Sequence, residues 1–430
     1  MKLRTAIIFS FIVLFLIQDV YAYPIDGYWY TGIRRLLDEQ NIAQDSNRTS
    51  KLEDGALYPM DAIQLFLTDY EYINQLDSFP EENAELQKKV NALFYGLNNN
   101  YSISVLDVTE GRPPRYAERR SLVGYQPGSV GKIIVLNALM YELNELFPGD
   151  WEKQRALLIE KYITGGDFAV PNSHTVPFWD EKKQRIFKRH PNERDVFTLY
   201  EWLDHMVSVS SNAAASILYR EAIFMHVFKD EYECMNEWEA IEWLDTFPKD
   251  SLGKIAEKVM HGPLRELGIS EDEWSLGQPF TRGASRVINP IGGSIGTTKG
   301  VMKWLIALEK GEIVNERSSL EMKRLLYITD RRIRYGASHA LDDAKLHFKS
   351  GSLYSCMDEP GFSCGKYRGN RYNYMNSVAI VEHPDCTRYL VVLMSNVLRK
   401  NSAGDHYGLA SSIDRLVRDV DTEKDDTNDG

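Results

Sequence analysis

Ser129 and Lys132 stand three positions apart in the run Pro127-Gly128-Ser129-Val130-Gly131-Lys132, directly ahead of the apolar stretch IIVLNALMYEL. Gly128 allows a sharp entry, Ser129 falls at an N-cap or first-turn position, and a residue three further on shares its helix face. A serine hydroxyl beside a lysine that burial can deprotonate makes a nucleophile and its base for acyl transfer. The same residues also serve as a helix cap followed by a surface lysine, so the tetrad alone carries little. Two further groups add weight. Ser210-Ser211-Asn212 lies between a helical run ending near Val207 and the run AAASILYREA. On such a loop Ser210 can relay a proton and Asn212 can hold a lysine or a substrate amide, although Ser and Asn are also ordinary loop and N-cap residues. Lys349-Ser350-Gly351 closes the strand-like run AKLHF. There a cation and a hydroxyl can take a carboxylate, and a glycine lets a ligand backbone approach the strand; the plainer reading is a strand entering a turn.

Taken in order and in these contexts, Ser-x-x-Lys, Ser-x-Asn and Lys-Ser-Gly form a known set. On them the chain resembles the serine β-lactamase and penicillin-binding protein superfamily, class A-like members above all, over residues 98–418. The resemblance implies an α+β fold of β-lactamase/transpeptidase type. It makes Ser129 the acylated nucleophile and Lys132 the base, with Ser210 and Asn212 completing the proton network. Lys349 and Ser350 would clamp a substrate carboxylate beside Gly351, and the backbone N–H groups of Ser129 and Ser352 would hold the oxyanion. The implied activity is hydrolysis of a β-lactam or related amide through an acyl-enzyme. The alternatives are a D-Ala-D-Ala-type peptidase of peptidoglycan and a deacylation-deficient covalent β-lactam-binding protein. The implied partner is a small molecule or peptide carrying a carboxylate, and no cofactor is implied.

Two features depart from the pattern. Ser211 stands where Asp is common, and no Glu-x-x-Leu-Asn lies between Asn212 and Lys349 to position a deacylating water. Gln278, followed by Pro279, is the nearest candidate for that loop, and a glutamine amide cannot act as a general base. Glu271 and Glu273 read as members of an exposed turn. Fast acylation with slow deacylation is the expectation. Gly292-x-Ser294-x-Gly296 formally fits a nucleophile elbow, but Pro290 stands just upstream and alternating parallel strands and helices are missing, so it reads as a loop leading to a helix capped near Thr297.

These groups must be positioned by an antiparallel sheet built from both chain ends, flanked by helices and carrying a separate all-helical lobe. Tyr101–Val108 alternates like one strand; 345–349, 376–382 and 388–395 supply three more, and 129–330 reads as mainly helical. Residues 23–97 read as a helical extension, with Ile63, Phe66 and Leu67, then Leu86, Val90, Leu93 and Phe94, at helical spacing. Residues 219–262, rich in Trp, Glu and Met, read as a helical insert, and 419–430 as an acidic disordered tail.

The chain has 430 residues, 50 Lys+Arg against 62 Asp+Glu for a net charge of −12, and 43% hydrophobic residues. That balance excludes a disordered or polytopic chain and disfavours nucleic acid as a partner. Lys2, Arg4, the apolar run Ala6–Ile17 and Val20-Tyr21-Ala22 make residues 1–22 a secretory signal peptide, too short for a comfortable span. The expectation is a secreted or periplasmic protein with no stable membrane anchor. Export permits disulfides, and Cys356 and Cys364 flank a turn that a bridge could close, while Cys234 and Cys386 are too far apart to judge. No Cys-x-x-Cys, His-Glu-x-x-His or His-x-His spacing points to a metal. Asn47-Arg48-Thr49 and Asn100-Tyr101-Ser102 are glycosylation sequons, relevant only in a eukaryotic host.

Overall fold

The computed structural model describes residues 52–170, 174–180, 183 and 185–419; the expected leader, residues 23–51 with the Asn47 sequon, and all of the acidic tail after Asp419 lie outside them. Five strands form the main sheet: β1 (Tyr101–Asp107), β2 (Arg115–Arg119), β3 (Lys345–Ser355), β4 (Tyr372–Glu382) and β5 (Arg388–Asn396). Their order is β2-β1-β5-β4-β3, every pair antiparallel. The helices that matter below are α1 (Ala84–Ala92), α2 (Lys132–Leu146), α3 (Leu199–Val207), α4 (Asn212–Phe228) and α5 (Glu237–Thr246). They continue with α6 (Lys249–Glu266), α7 (Thr298–Glu309), α8 (Glu316–Tyr327) and α9 (Ala403–Arg418).

Side chains alternate across a strand, so this sheet, covered on both sides, feeds two cores. Leu390, Val392 and Met394 of β5, with Val378 and Ile380 of β4, face the helical lobe and pack with Ile133, Ile134, Leu136 and Leu139 of α2. Their neighbours Tyr389, Val391, Leu393, Ala379 and Val381 face the other way, onto Leu86 and Val90 of α1 and Leu409, Ile413 and Val417 of α9. The α2 helix is buried on nearly every side from Lys132 to Met140, which is why its sequence lacks a polar face. The architecture is α+β, with the sheet assembled from both ends of the chain and the helices between.

Several expectations change. Ile63, Phe66 and Leu67 are buried, but they lie in loops and 3-10 turns, and the only α-helix described before β1 is α1. Tertiary partners satisfy that backbone in place of a helix ladder: Gly55 N–H donates to Asp342 O (2.8 Å), Tyr58 N–H to the Tyr327 hydroxyl (2.8 Å) and Phe66 N–H to Glu309 (3.2 Å). Strand β2 and helix α9 had no distinct signal in the sequence reading. The bounds read for the insert, 219 and 262, both fall inside long packed helices, α4 and α6, with α5 between them.

A buried ionic cluster ties these parts together. Lys323 of α8 pairs with Glu309 of α7 (2.8 Å) and Glu382 of β4 (2.8 Å) and donates to Gln64 O (2.6 Å). Glu382 also bonds His347 of β3 at 2.9 Å. Cys356 and Cys364 form a disulfide across the β3–β4 connection, with Cα atoms 6.1 Å apart, whereas Cys234 and Cys386 are exposed thiols. Asn100 is exposed.

Candidate active site

The chain enters α2 through a 3-10 turn, Gly128–Gly131, in which Gly128 takes a positive φ of 54°. A Cβ at Gly128 would lie 2.8 Å from Ser352 N, so only glycine allows the turn to press against β3. Gly351 answers from the strand: a Cβ there would lie 2.1 Å from Pro127 O and 3.0 Å from Ser129 N. The backbone amides of Ser129 and Ser352, from separate elements, are thereby brought to one edge. Asn376, opposite Gly351 on β4, donates to Gln126 O (2.9 Å) and Pro127 O (3.0 Å), and Tyr125 exchanges two 2.8 Å backbone bonds with Gly296. The turn is held from both sides.

Ser129 is half-buried and Lys132 wholly buried. The Lys132 amine lies 3.0 Å from Ser129 Oγ, 2.8 Å from Ser210 O, 3.3 Å from Ser210 Oγ and 2.6 Å from Asn212 Oδ1. Ser210 Oγ in turn accepts from the Lys349 amine at 2.8 Å. One hydroxyl therefore stands between two amines that are 217 positions apart in sequence, from 132 to 349. Ser210 reaches this place with a φ of 63°, unusual for a residue with a Cβ and a source of about 1 kcal/mol of strain. Ser211, the departure from the Asp pattern, caps α4 by accepting from Ala214 N at 3.2 Å.

Burial, then the charges of Lys349 and Arg331, holds the Lys132 amine well below the ordinary lysine range. Burial, then Arg331 and Arg334, brings Lys349 down to about 7. A neutral amine in contact with a hydroxyl can accept its proton, so the arrangement is competent for general-base attack by Ser129 on a carbonyl. Ser350 is buried and its hydroxyl has no hydrogen-bond partner among the described residues.

Gln278 is exposed and its loop turns a different residue inward: the Phe280 ring, two positions on, lies 5.0 Å from the Lys132 amine. Glu271 is exposed, and Glu273 is tied to Lys303 at 2.7 Å. Among the described residues no carboxylate is bonded to Ser129, Lys132 or Asn212. Ser294 of the Gly-x-Ser-x-Gly run accepts from Gly277 N at 3.0 Å and leads into α7, capped by Thr297.

Three cationic or basic groups beside the site carry no motif. Arg331 donates to Val209 O at 2.7 Å, and Arg334 donates to Gly351 O at 2.8 Å. His174 is pressed down to about 3 by burial and then by Lys132, Arg331 and Lys349, which leaves it neutral at physiological pH. The cluster Arg331-Arg332-Ile333-Arg334, three arginines in four positions, was the available signal for the first two. Among the described residues no group of three or more His, Cys, Asp or Glu is placed to hold a metal ion, and no helix is long and apolar enough to cross a membrane.

Solved structures share this fold. The structure of PBP-A aligns at a TM-score of 0.51 with 12% identity, covering 80% of this chain and all of that one. The TLA-3 extended-spectrum beta-lactamase aligns at 0.52 with 16% identity, covering 77% and 98%. A beta-lactamase from Chitinophaga pinensis DSM 2588 aligns at 0.51 with 14% identity, covering 78% and 99%. No curated protein matches the chain by sequence. The sequence profile of the beta-lactamase enzyme family matches residues 85–416, most of the chain's length and all of the sheet described above, and the chain belongs to that family.

Proposed function

We propose that the chain is an exported serine hydrolase that forms an acyl-enzyme at Ser129 on a β-lactam or related amide and releases the acyl group slowly. The observation that carries this reading is the contact of the buried Lys132 amine with Ser129 Oγ, Ser210 and Asn212 at 2.6–3.3 Å. Lys132 takes the Ser129 proton as Oγ attacks the carbonyl, and Ser210, between the two lysines, passes a proton to the leaving nitrogen. The amides of Ser129 and Ser352 hold the oxyanion, a contribution of about 3–4 kcal/mol per donor in comparable sites. Lys349 and Ser350 bind the substrate carboxylate. The expected leader and the Cys356–Cys364 disulfide both suit an oxidising, secreted or periplasmic location.

Slow release rests on Phe280. An aromatic ring beside Lys132 supplies no acceptor for a hydrolytic water, and a water beside it loses hydrogen bonds. The same observation favours, as a second reading, a covalent β-lactam-binding protein that does not turn over. A fluorescent-penicillin gel tests the nucleophile: stoichiometric label that survives denaturation is expected on the wild type and none on Ser129→Ala. Label retained by Ser129→Ala sinks the assignment. A chromogenic cephalosporin should give a burst and then a slow steady state; sustained fast turnover overturns slow deacylation. Running a D-Ala-D-Ala-ended peptide beside it separates a peptidase from a β-lactam hydrolase.

A further inference from the structure

Several buried or half-buried cations elsewhere in this molecule sit against acids. Arg115 pairs with Asp107 (2.6 Å), Arg220 with Glu221 (2.7 Å), and Lys323 with Glu309 and Glu382. The cleft is different. Lys349, Arg331 and Arg334 act on one another there, and none of the three has a carboxylate partner among the described residues. Arg334 is buried with one nitrogen on Gly351 O and its guanidinium 5.1 Å from the Tyr367 ring. Arg331 commits its Nε to Val209 O, which leaves its two terminal nitrogens without a partner among the described residues. The acid next to it in sequence, Asp330, is engaged by Lys188 at 2.7 Å.

Unmatched charge in a partly desolvated cleft is unfavourable until a ligand neutralises it. One substrate carboxylate on Lys349 and Ser350 leaves the arginine charge unmatched. Resting on the function proposed above, we infer that the preferred substrate carries two carboxylates on its leaving group, one for Lys349 and Ser350 and a second for Arg331. The side of the cleft follows from Ser210. Its hydroxyl, 2.8 Å from Lys349, is the proton donor to the departing atom, and Arg331 holds the carbonyl of Val209, the residue just before it. Arg331 therefore borders the leaving group and not the acyl group. The chemical class is an acyl amide or ester whose departing half is a dicarboxylic D-amino or hydroxy acid, aspartate-like and not alanine-like.

Two depsipeptides with the same acyl half test this, one releasing D-lactate and the other D-malate. Acylation of Ser129 is read by competition with fluorescent penicillin on the full-length protein. The D-malate ester is expected to acylate roughly tenfold more efficiently at low salt, and the ratio should shrink toward one in 0.5 M salt, as paired charges in an open cleft do. Arg331→Gln should bring the ratio to within about twofold, and Arg331→Lys, which keeps the charge, should preserve most of it. The salt series needs no variant, so a poorly folding Arg331→Gln does not rescue the idea. Equal or slower acylation by the D-malate ester, with penicillin labelling intact, overturns the second carboxylate. Failure of penicillin to label the wild type overturns the parent reading, and this one with it.

Discussion

The two lysines have opposite charge requirements. Lys132 must be neutral to accept a proton, so acylation rises as pH climbs through its lowered pKa. Lys349 must be charged to hold a carboxylate, and with its pKa down to about 7 it loses that charge as pH rises through that value. Acylation efficiency is expected to be bell-shaped, and Lys349→Arg, charged throughout, should remove the falling limb even if the rate drops. Phe280→Ala should act on the rising limb. Water admitted beside Lys132 favours its ammonium, so the pKa rises and the limb moves to higher pH, by about one unit. A stopped-flow pH series checks both, and a limb that stays fixed would deny Phe280 any desolvating role. At this scale the sequence was legible where chemistry is written in short spacings. Ser129, Lys132, Ser210, Asn212, Lys349 and Ser350 converge within hydrogen-bonding reach or on the same edge. Phe280, Arg331, Arg334 and His174 are not legible there, because a single side chain turned inward from a loop leaves no periodicity, and Gln278 stands two residues from the ring that reaches the amine.

Elements carry the next layer. The amides of Ser129 and Ser352 meet because Gly128 and Gly351 let a 3-10 turn rest on an edge strand with no side chain between. Gly351→Ala, whose Cβ would sit 2.1 Å from Pro127 O, must push the turn away. Acylation should fall at least a hundredfold with a smaller stability loss of about 1–3 kcal/mol, seen by comparing labelling rates with urea midpoints. Helix α3 delivers the Ser210 loop, and its capping box, Thr198 with Glu201, is formed as its sequence specifies. Thr198→Ala should cost about 1 kcal/mol. Strands β1, β4 and β5 and the buried first half of β3 were readable from alternation and apolar runs, because both of their faces are covered. Strand β2 is short and half-exposed, and α9 follows a polar, turn-rich stretch, so neither stood out. The loops of 52–80 misled the helical reading because their apolar spacing reports burial, whichever backbone delivers it.

For the molecule as a whole, Lys323 joins the N-terminal segment, two helices and two strands through buried charge. Lys323→Met would strand Glu309 and Glu382 in the interior, and a loss of about 3–5 kcal/mol is expected from denaturant titration at pH 7. Ile413→Ala in α9, far from Ser129, should cost about 2–4 kcal/mol through the cavity it leaves under the sheet. Composition and motif order made the fold class legible, whereas this charge cluster was invisible because its bonded partners lie up to 259 positions apart.

The strand order β2-β1-β5-β4-β3 has a consequence for how the protein comes into being. The first strand to be synthesised must wait for the last, since β5 is its neighbour on one side, and loop closure over nearly three hundred residues precedes any reward from that pairing. A growing polypeptide on the ribosome cannot complete this sheet before residue 396 emerges. Until then β1 lacks a neighbour on one side, and the uncompleted sheet stays open to capture by holdase chaperones.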